Sequence, residues 1–208
     1  MAAIAAAPPA HVDVHETTTG LSHRKLVMWA FLGSDCMLFG SLIGTYLVYR
    51  GHYPAGTPIP GTLTVKGLFE IPYTSVSAFA LLMSSLAMVL ALAAIQRGDI
   101  KRLKIWLLAV AGLGLVFLGG QVYEFTSFGA EGLHLATSTF GSTFFILTGF
   151  HGTHVSFGVI WLLMLFVLAQ RGDMHQGRSL DVEIAGLYWH FVDIVWIIIF
   201  SAVYLIPV

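Results

Sequence analysis

The sequence predicts an all-α integral membrane protein: a bundle of five transmembrane helices with its N-terminus inside and its C-terminus outside. Of its 208 residues, 57% are hydrophobic and only 10% are charged, whereas a soluble domain carries about 25% charged residues. Five apolar segments reach the roughly 20 residues that a helix needs to cross a bilayer. Helices are expected because an open sheet cannot satisfy its backbone polar groups in lipid.

The predicted elements follow one another with short connections. Residues 1–22 are predicted to form a mobile tail, and residues 23–208 a single transmembrane domain. The spans are expected at about residues 26–49, 73–95, 105–128, 139–169 and 182–206. The connections RGHYPAGTPIPGT, QRGDIKRLK and QRGDMHQGRS carry the Gly, Pro and polar residues of surface turns.

The distribution of basic residues predicts the orientation. With five spans, the N-terminal segment and the second and fourth connections lie on one side and hold Arg24, Lys25, Arg97, Lys101, Arg102, Lys104, Arg171 and Arg178. The other side holds Arg50 and Lys66. Because loops rich in Lys and Arg stay on the cytoplasmic side, the N-terminus is predicted inside.

Composition and motifs exclude several classes of function. The formal net charge is −1, so nothing indicates nucleic acid as a partner. A single cysteine excludes a disulfide or a cysteine metal cluster within one chain. The sequence contains no phosphate-binding loop, nucleophile elbow or dinucleotide fingerprint.

Ionisable residues inside the predicted spans are the candidate functional groups, because each is expensive to bury in a bilayer. They are Asp35 in the first span, Glu124 in the third, His151 and His154 in the fourth, and Glu183, His190 and Asp193 in the fifth. The aspartates and histidines fall at similar depth near the membrane centre, whereas the two glutamates lie near span ends. A buried Asp must be protonated, hydrogen-bonded or paired, and a histidine from another helix can be its partner.

Hydrogen bonding between helices is favoured over metal ligation for these groups, and no metal site is predicted. Residues three apart share a helix face, so His151 with His154, and His190 with Asp193, each present two polar groups to neighbouring helices. Di-iron bundles use Glu-x-x-His pairs on two helices, and no Glu precedes a His at that spacing within the spans. Spacing alone leaves haem ligation by one or two histidines open.

Five stretches together resemble subunit III of the haem-copper respiratory oxidases. They are SDCMLFGSLIGTYLVYRG, FEIPYTSVSAFALLMSSL, GGQVYEF, FGSTFFILTGFHGTHVSFGVIWLL and LYWHFVDIVWIIIFSAVYL, in the family's order. The resemblance covers residues 24–208 and implies the short five-helix bacterial form, which lacks the first two of seven spans.

The resemblance implies an accessory, non-catalytic role in the bacterial plasma membrane. Such a subunit binds subunits I and II, which hold the haems and copper, and it carries no redox centre of its own. It binds phospholipids and supports proton uptake and the durability of an oxygen-reducing, proton-pumping enzyme. The electron donor, cytochrome c or quinol, reaches the partner subunits.

The resemblance also matches the candidate residues one by one. Asp35 falls at the family's buried carboxylate, Glu124 at its Tyr-Glu pair, and His151 with His154 at its His-Gly-x-His motif. Glu183, His190 and Asp193 match the last span. Gln121 stands where many members have a second glutamate.

Three functions are therefore considered. A cytochrome c oxidase subunit III is the leading interpretation, and the alternative is the same subunit of a quinol oxidase. A free-standing membrane haem protein or transporter is the third, although a transporter should show broken helices or an inverted repeat. Asp35 is the strongest candidate for a proton-linked role.

Overall fold

The computed structural model describes residues 20, 22–49, 71–130, 135–136 and 139–205. These residues form five long helices: α1 (His23–Tyr49), α2 (Ile71–Gln96), α3 (Ile100–Ala130), α4 (Thr139–Arg171) and α5 (Ser179–Phe200). A 3₁₀ turn (Gln176–Arg178) precedes α5, and a π-helical turn (Ser201–Leu205) continues it. All five helices are long and apolar enough to cross a membrane. The predicted five-span helical fold is thus confirmed, while the predicted tail lies almost entirely outside the described residues.

The helices extend beyond the predicted apolar limits at the ends that carry charge. α3 begins at Ile100, five residues before the predicted start, because Asp99 caps it: the carboxylate accepts a hydrogen bond of 3.0 Å from the Arg102 backbone N–H. α5 begins at Ser179 and not at residue 182, directly after a 3₁₀ turn. Apolar length measures the hydrocarbon layer, whereas capping decides where a helix begins.

Four helices form a ring, and the first helix lies outside it. α2 packs against α3 and α5, and α4 packs against the same two helices. α1 packs against α4 and α5. Its buried residues, Met28, Asp35, Phe39 and Tyr46, follow one narrow stripe, so most of its surface faces away from the ring.

Trp189 of α5 lies at the centre of the ring and contacts all three other helices. Its indole is fully buried, and its Nε1–H donates a 2.8 Å hydrogen bond to the Ser84 hydroxyl of α2. Gly114 of α3 and Gly158 of α4 lie so close to the indole that a Cβ on either would be 2.7 Å from a ring carbon. Both glycines are therefore required for this close approach.

Two copies of the tetrapeptide Gln-Arg-Gly-Asp end α2 and α4 in the same way. Gly98 and Gly172 adopt φ of 75° and 85°, and the following Asp N–H bonds back to Ala94 O (2.9 Å) and Leu168 O (3.1 Å). This is the glycine-based helix ending that satisfies the last carbonyl groups.

These two turns lie at one end of the bundle, together with the first residues of α1, α3 and α5; we call it the basic end. Arg24 and Lys25 of α1 pair there with Asp181 (2.7 Å) and Glu183 (2.6 Å) of α5. Lys104 of α3 donates to Gln170 of α4 over 3.3 Å. That this end faces the cytoplasm remains a prediction from the charge bias.

Candidate functional site

Asp35 and His154 meet where α1 packs against α4. Nε2 of His154 lies 3.6 Å from Oδ2 of Asp35, and the two side chains are 15% and 10% exposed. The Phe39 ring packs edge-on against His154, with 5.0 Å between ring centroids. The Tyr188 hydroxyl of α5 donates to the His154 carbonyl over 2.9 Å. The helices α1, α4 and α5 thus enclose a carboxyl–imidazole pair at bilayer depth.

The hydrogen bonding of His154 determines its tautomer. Nδ1 lies 2.8 Å from the Phe150 carbonyl oxygen one turn earlier. A carbonyl can only accept, so Nδ1 carries hydrogen and Nε2 of the neutral ring presents a lone pair to Asp35. A favourable contact then needs one further proton, either on the carboxyl group or on Nε2. The pair can therefore hold a single shared proton.

His151 has a different environment from His154, although it lies one turn away on the same helix. It is fully buried, and its Nε2 lies 3.2 Å from the Val192 carbonyl of α5. Its ring packs edge-on against Phe117 of α3 (5.7 Å) and at a tilt against Trp196 of α5 (4.9 Å). His151 therefore joins α3, α4 and α5 in the core and does not contact the Asp35 carboxyl.

His190 and Asp193 form a second polar group, on the side of α5 that faces α2. The Ser85 hydroxyl of α2 lies 2.5 Å from Nδ1 of His190. It also lies beside the Asp193 carboxyl group, which is 3% exposed. These two residues share a face, as their spacing predicts, but that face is turned away from Asp35 and His154.

Glu124 is held in a third polar group near the end of the bundle opposite the basic end. Its Oε1 accepts hydrogen bonds from the Thr74 hydroxyl of α2 (3.0 Å) and the Tyr204 hydroxyl of the π-helical turn (2.9 Å). Gln121, one turn earlier on α3, donates to the Thr148 carbonyl of α4 over 2.9 Å. These bonds tie α2, α3, α4 and the π-helical turn together.

Glu183 lies apart from the buried groups. It pairs with Lys25 at the basic end, where its side chain is 34% exposed. Such a partly exposed ion pair fastens α1 to α5 and contributes at most about 1 kcal/mol.

Several candidate residues were predicted to lie at a similar depth in the membrane, but in the structure they do not form one group. The structure joins Asp35 with His154, and the Phe39 ring that packs on His154 also reaches His151. The other candidates, His190 with Asp193, Glu124 and Glu183, lie in separate environments. Sequence reasoning missed their hydroxyl partners Thr74, Ser85 and Tyr204, because a serine, threonine or tyrosine in a membrane helix gives no sign of which distant residue it faces.

The chemistry available at these sites is hydrogen bonding and proton exchange. Among the described residues, no group of three or more His, Cys, Asp or Glu side chains is arranged to hold a metal ion. The histidines at 151, 154 and 190 each use at least one ring nitrogen in a contact within the chain. The Asp35–His154 pair lies where the outer helix α1 packs against α4.

Comparison with known proteins agrees with this architecture. The family described as cytochrome c oxidase subunit III matches residues 11–207. Proteins named probable quinol oxidase subunit 3, from Staphylococcus saprophyticus and from Staphylococcus aureus strain USA300, are 38% identical over 183 residues, covering 88% of this chain and 89% of each relative. With its five apolar helices and bacterial relatives, the chain is a multi-pass protein of the bacterial plasma membrane. The chain belongs to the subunit III family of the haem-copper oxidases.

Proposed function

We propose that this chain is subunit III of a proton-pumping haem-copper quinol oxidase. Quinol is proposed as the electron donor because the chain is 38% identical, over almost its whole length, to proteins named probable quinol oxidase subunit 3. This reverses the order of the two leading interpretations from sequence, which placed cytochrome c first. Cytochrome c oxidase remains the second candidate, favoured by the description of the matching family.

In this proposal the chain supports an enzyme whose haems and copper are in subunits I and II. The engaged histidines support an accessory role, since His151 and His190 bond to α5 and α2 within the chain. The bound phospholipids of the proposed complex occupy surface grooves between the helices.

The donor is tested on the complex purified through a tag on this chain. Reduced-minus-oxidised spectra identify the haems, and oxygen consumption is measured with a quinol and with reduced cytochrome c. Turnover with quinol alone supports the proposal, whereas turnover with cytochrome c alone supports the second candidate. Haem in the chain expressed by itself would contradict both.

We further propose that the Asp35–His154 pair stores or relays a proton for the partner's uptake path. The pair lies between α1 and the ring, and Nε2 of His154 faces the Asp35 carboxyl at 3.6 Å while Nδ1 is engaged by the Phe150 carbonyl. Asp35→Asn removes the titrating carboxyl at nearly constant volume. Asp193→Asn is the matched control, since Asp193 is also buried but faces α2.

A carbodiimide, which modifies protonated carboxyl groups, should label Asp35 in the wild-type complex. Asp35→Asn should abolish that labelling and shorten the catalytic lifetime during turnover, and Asp193→Asn should leave both near wild type. Absence of labelling together with an unchanged lifetime in Asp35→Asn would refute the proton role. It would leave the assignment of the electron donor untouched.

A further inference from the structure

A groove opens between α2 and α3 at the basic end, away from the candidate residues described above. Its volume is about 340 Å³. Two arginines line its mouth, Arg97 at the end of α2 and Arg102 in the first turns of α3. Its walls are apolar and include Leu90, Ala94, Ile105 and Trp106.

The two arginines have unused hydrogen-bond donors. The side chain of Arg97 is exposed and makes no hydrogen bond or ion pair with another described residue. Arg102 directs only its Nε to Asp99, at 3.2 Å, which leaves its terminal nitrogens available. The nearby carboxylate of Asp99 is engaged by this pair and by the Arg102 backbone N–H. The mouth of the groove therefore keeps an excess of positive charge.

The groove changes from charged to apolar along the axes of α2 and α3. Leu90 precedes Arg97 by seven residues and so lies about 10 Å further into the bundle, since an α-helix rises 1.5 Å per residue. On the other wall, Ile105 and Trp106 follow Arg102 by three and four residues, about 5 to 6 Å deeper. Trp106 is half-buried, and tryptophan favours the depth of the lipid headgroups. A ligand that fits has an anionic head and a hydrocarbon body.

We propose that this groove binds an anionic phospholipid. The phosphodiester lies between the guanidinium groups of Arg97 and Arg102, and an acyl chain follows Leu90, Ala94 and Ile105 into the bilayer. Arginine suits this role because its planar donors form charge-assisted bonds with phosphate oxygens. This proposal deepens the lipid binding in the proposed function, gives it a site and a headgroup charge, and does not depend on the electron donor.

The chain contains a matched control for the groove. Arg171 occupies the same place in the second Gln-Arg-Gly-Asp turn as Arg97 does in the first. It lies at the same end of the bundle, is exposed, and its side chain makes no hydrogen bond or ion pair with another described residue. It does not line the groove. The two arginines therefore differ mainly in the surface beside them.

The experiment titrates the delipidated full-length chain, in its purified complex, with phosphatidylglycerol or phosphatidylcholine and counts bound lipids by native mass spectrometry. Arg97→Gln should weaken binding of phosphatidylglycerol about fivefold, the effect of about 1 kcal/mol for each basic residue near an anionic lipid. Arg97→Gln with Arg102→Gln should weaken it further. Arg171→Gln should bind like the wild type, and Arg97→Lys, which keeps the charge, should retain most of the binding.

Three results would overturn the proposal. Equal weakening by Arg97→Gln and Arg171→Gln would indicate diffuse attraction to the basic end. Equal affinity for phosphatidylcholine would indicate that the groove recognises only the acyl chains. Displacement of phosphatidylglycerol by excess inorganic phosphate would indicate that free phosphate is the ligand. Lipid is counted directly, so a failure of quinol turnover would contradict the proposed function and not this site.

Discussion

Replacing Gly158 by alanine tests whether the bundle is organised around Trp189. The new Cβ would lie 2.7 Å and 2.8 Å from two indole carbons and 3.2 Å from a Tyr188 ring carbon. Optimal carbon–carbon separation begins at about 3.5 Å, so the overlap with the indole is about 0.8 Å. The same helix contains Gly149, where an added Cβ would meet nothing within 4 Å.

The indole cannot move away from this overlap without losing other contacts. Its Nε1–H is bonded to Ser84, and Gly114 lies close to another edge of its ring. Overpacking a tight core by one methyl group destabilises by about 1–3 kcal/mol. Gly149→Ala should be neutral or should stabilise the helix by up to about 1 kcal/mol, because alanine is the better helix former.

The two variants are compared by unfolding the purified chain in detergent with increasing denaturant. Trp189→Phe, alone and combined with Gly158→Ala, completes a double-mutant cycle. The smaller ring should leave room for the methyl group, so the combined loss should be smaller than the sum of the single losses. Equal stabilities of the two glycine variants, or strictly additive losses, would refute the close packing of Gly158 against Trp189.

Three further predictions concern polar contacts between helices. Asp181→Asn weakens the contacts with Arg24 and Arg178 and should speed amide hydrogen exchange in the first turns of α1 by about two- to fivefold, the effect of a partly exposed ion pair. Asp173→Asn, at the same end, should not. Glu124→Ala removes the carboxylate that accepts from two buried hydroxyls and should lower the free energy of unfolding by about 2–3 kcal/mol, whereas Glu124→Gln keeps an acceptor and should lose less than half of that. Ser84→Ala removes the acceptor of a buried indole N–H and should lower the melting temperature, with a loss of about 1–3 kcal/mol. Ser156→Ala should change the melting temperature little, because the Ser156 hydroxyl bonds within its own helix. An equal shift in both serine variants would contradict the prediction.

The spans were predictable from sequence because crossing a bilayer is a requirement on local composition. About 20 apolar residues must follow one another whatever the neighbours are, and the described helices contain all five predicted segments apart from the last predicted residue, 206. Helix starts were predicted less well, since the cap at Asp99 extends α3 through basic residues that a search for apolar residues excludes. The glycines at 98 and 172 indicated turns, and both adopt the positive φ that favours glycine.

The grouping of the ionisable residues was not predictable from depth. Depth is one coordinate, whereas contact also requires the rotation of each helix about its axis and its place in the bundle. The faces of α1 and α4 that carry Asp35 and His154 are turned toward each other. His190 and Asp193 lie at a similar depth but face α2.

By itself the sequence determined that this protein is a bundle of five membrane helices with buried carboxyl groups and imidazoles, because hydropathy and chain length are local properties. Only the tertiary structure decided that α2 to α5 enclose Trp189, that α1 lies outside and brings Asp35 to His154, and that Arg97 and Arg102 flank one groove. These pairings join residues far apart in the chain. They depend on which faces pack together, and packing is decided by the fit of side chains such as an indole against two glycines.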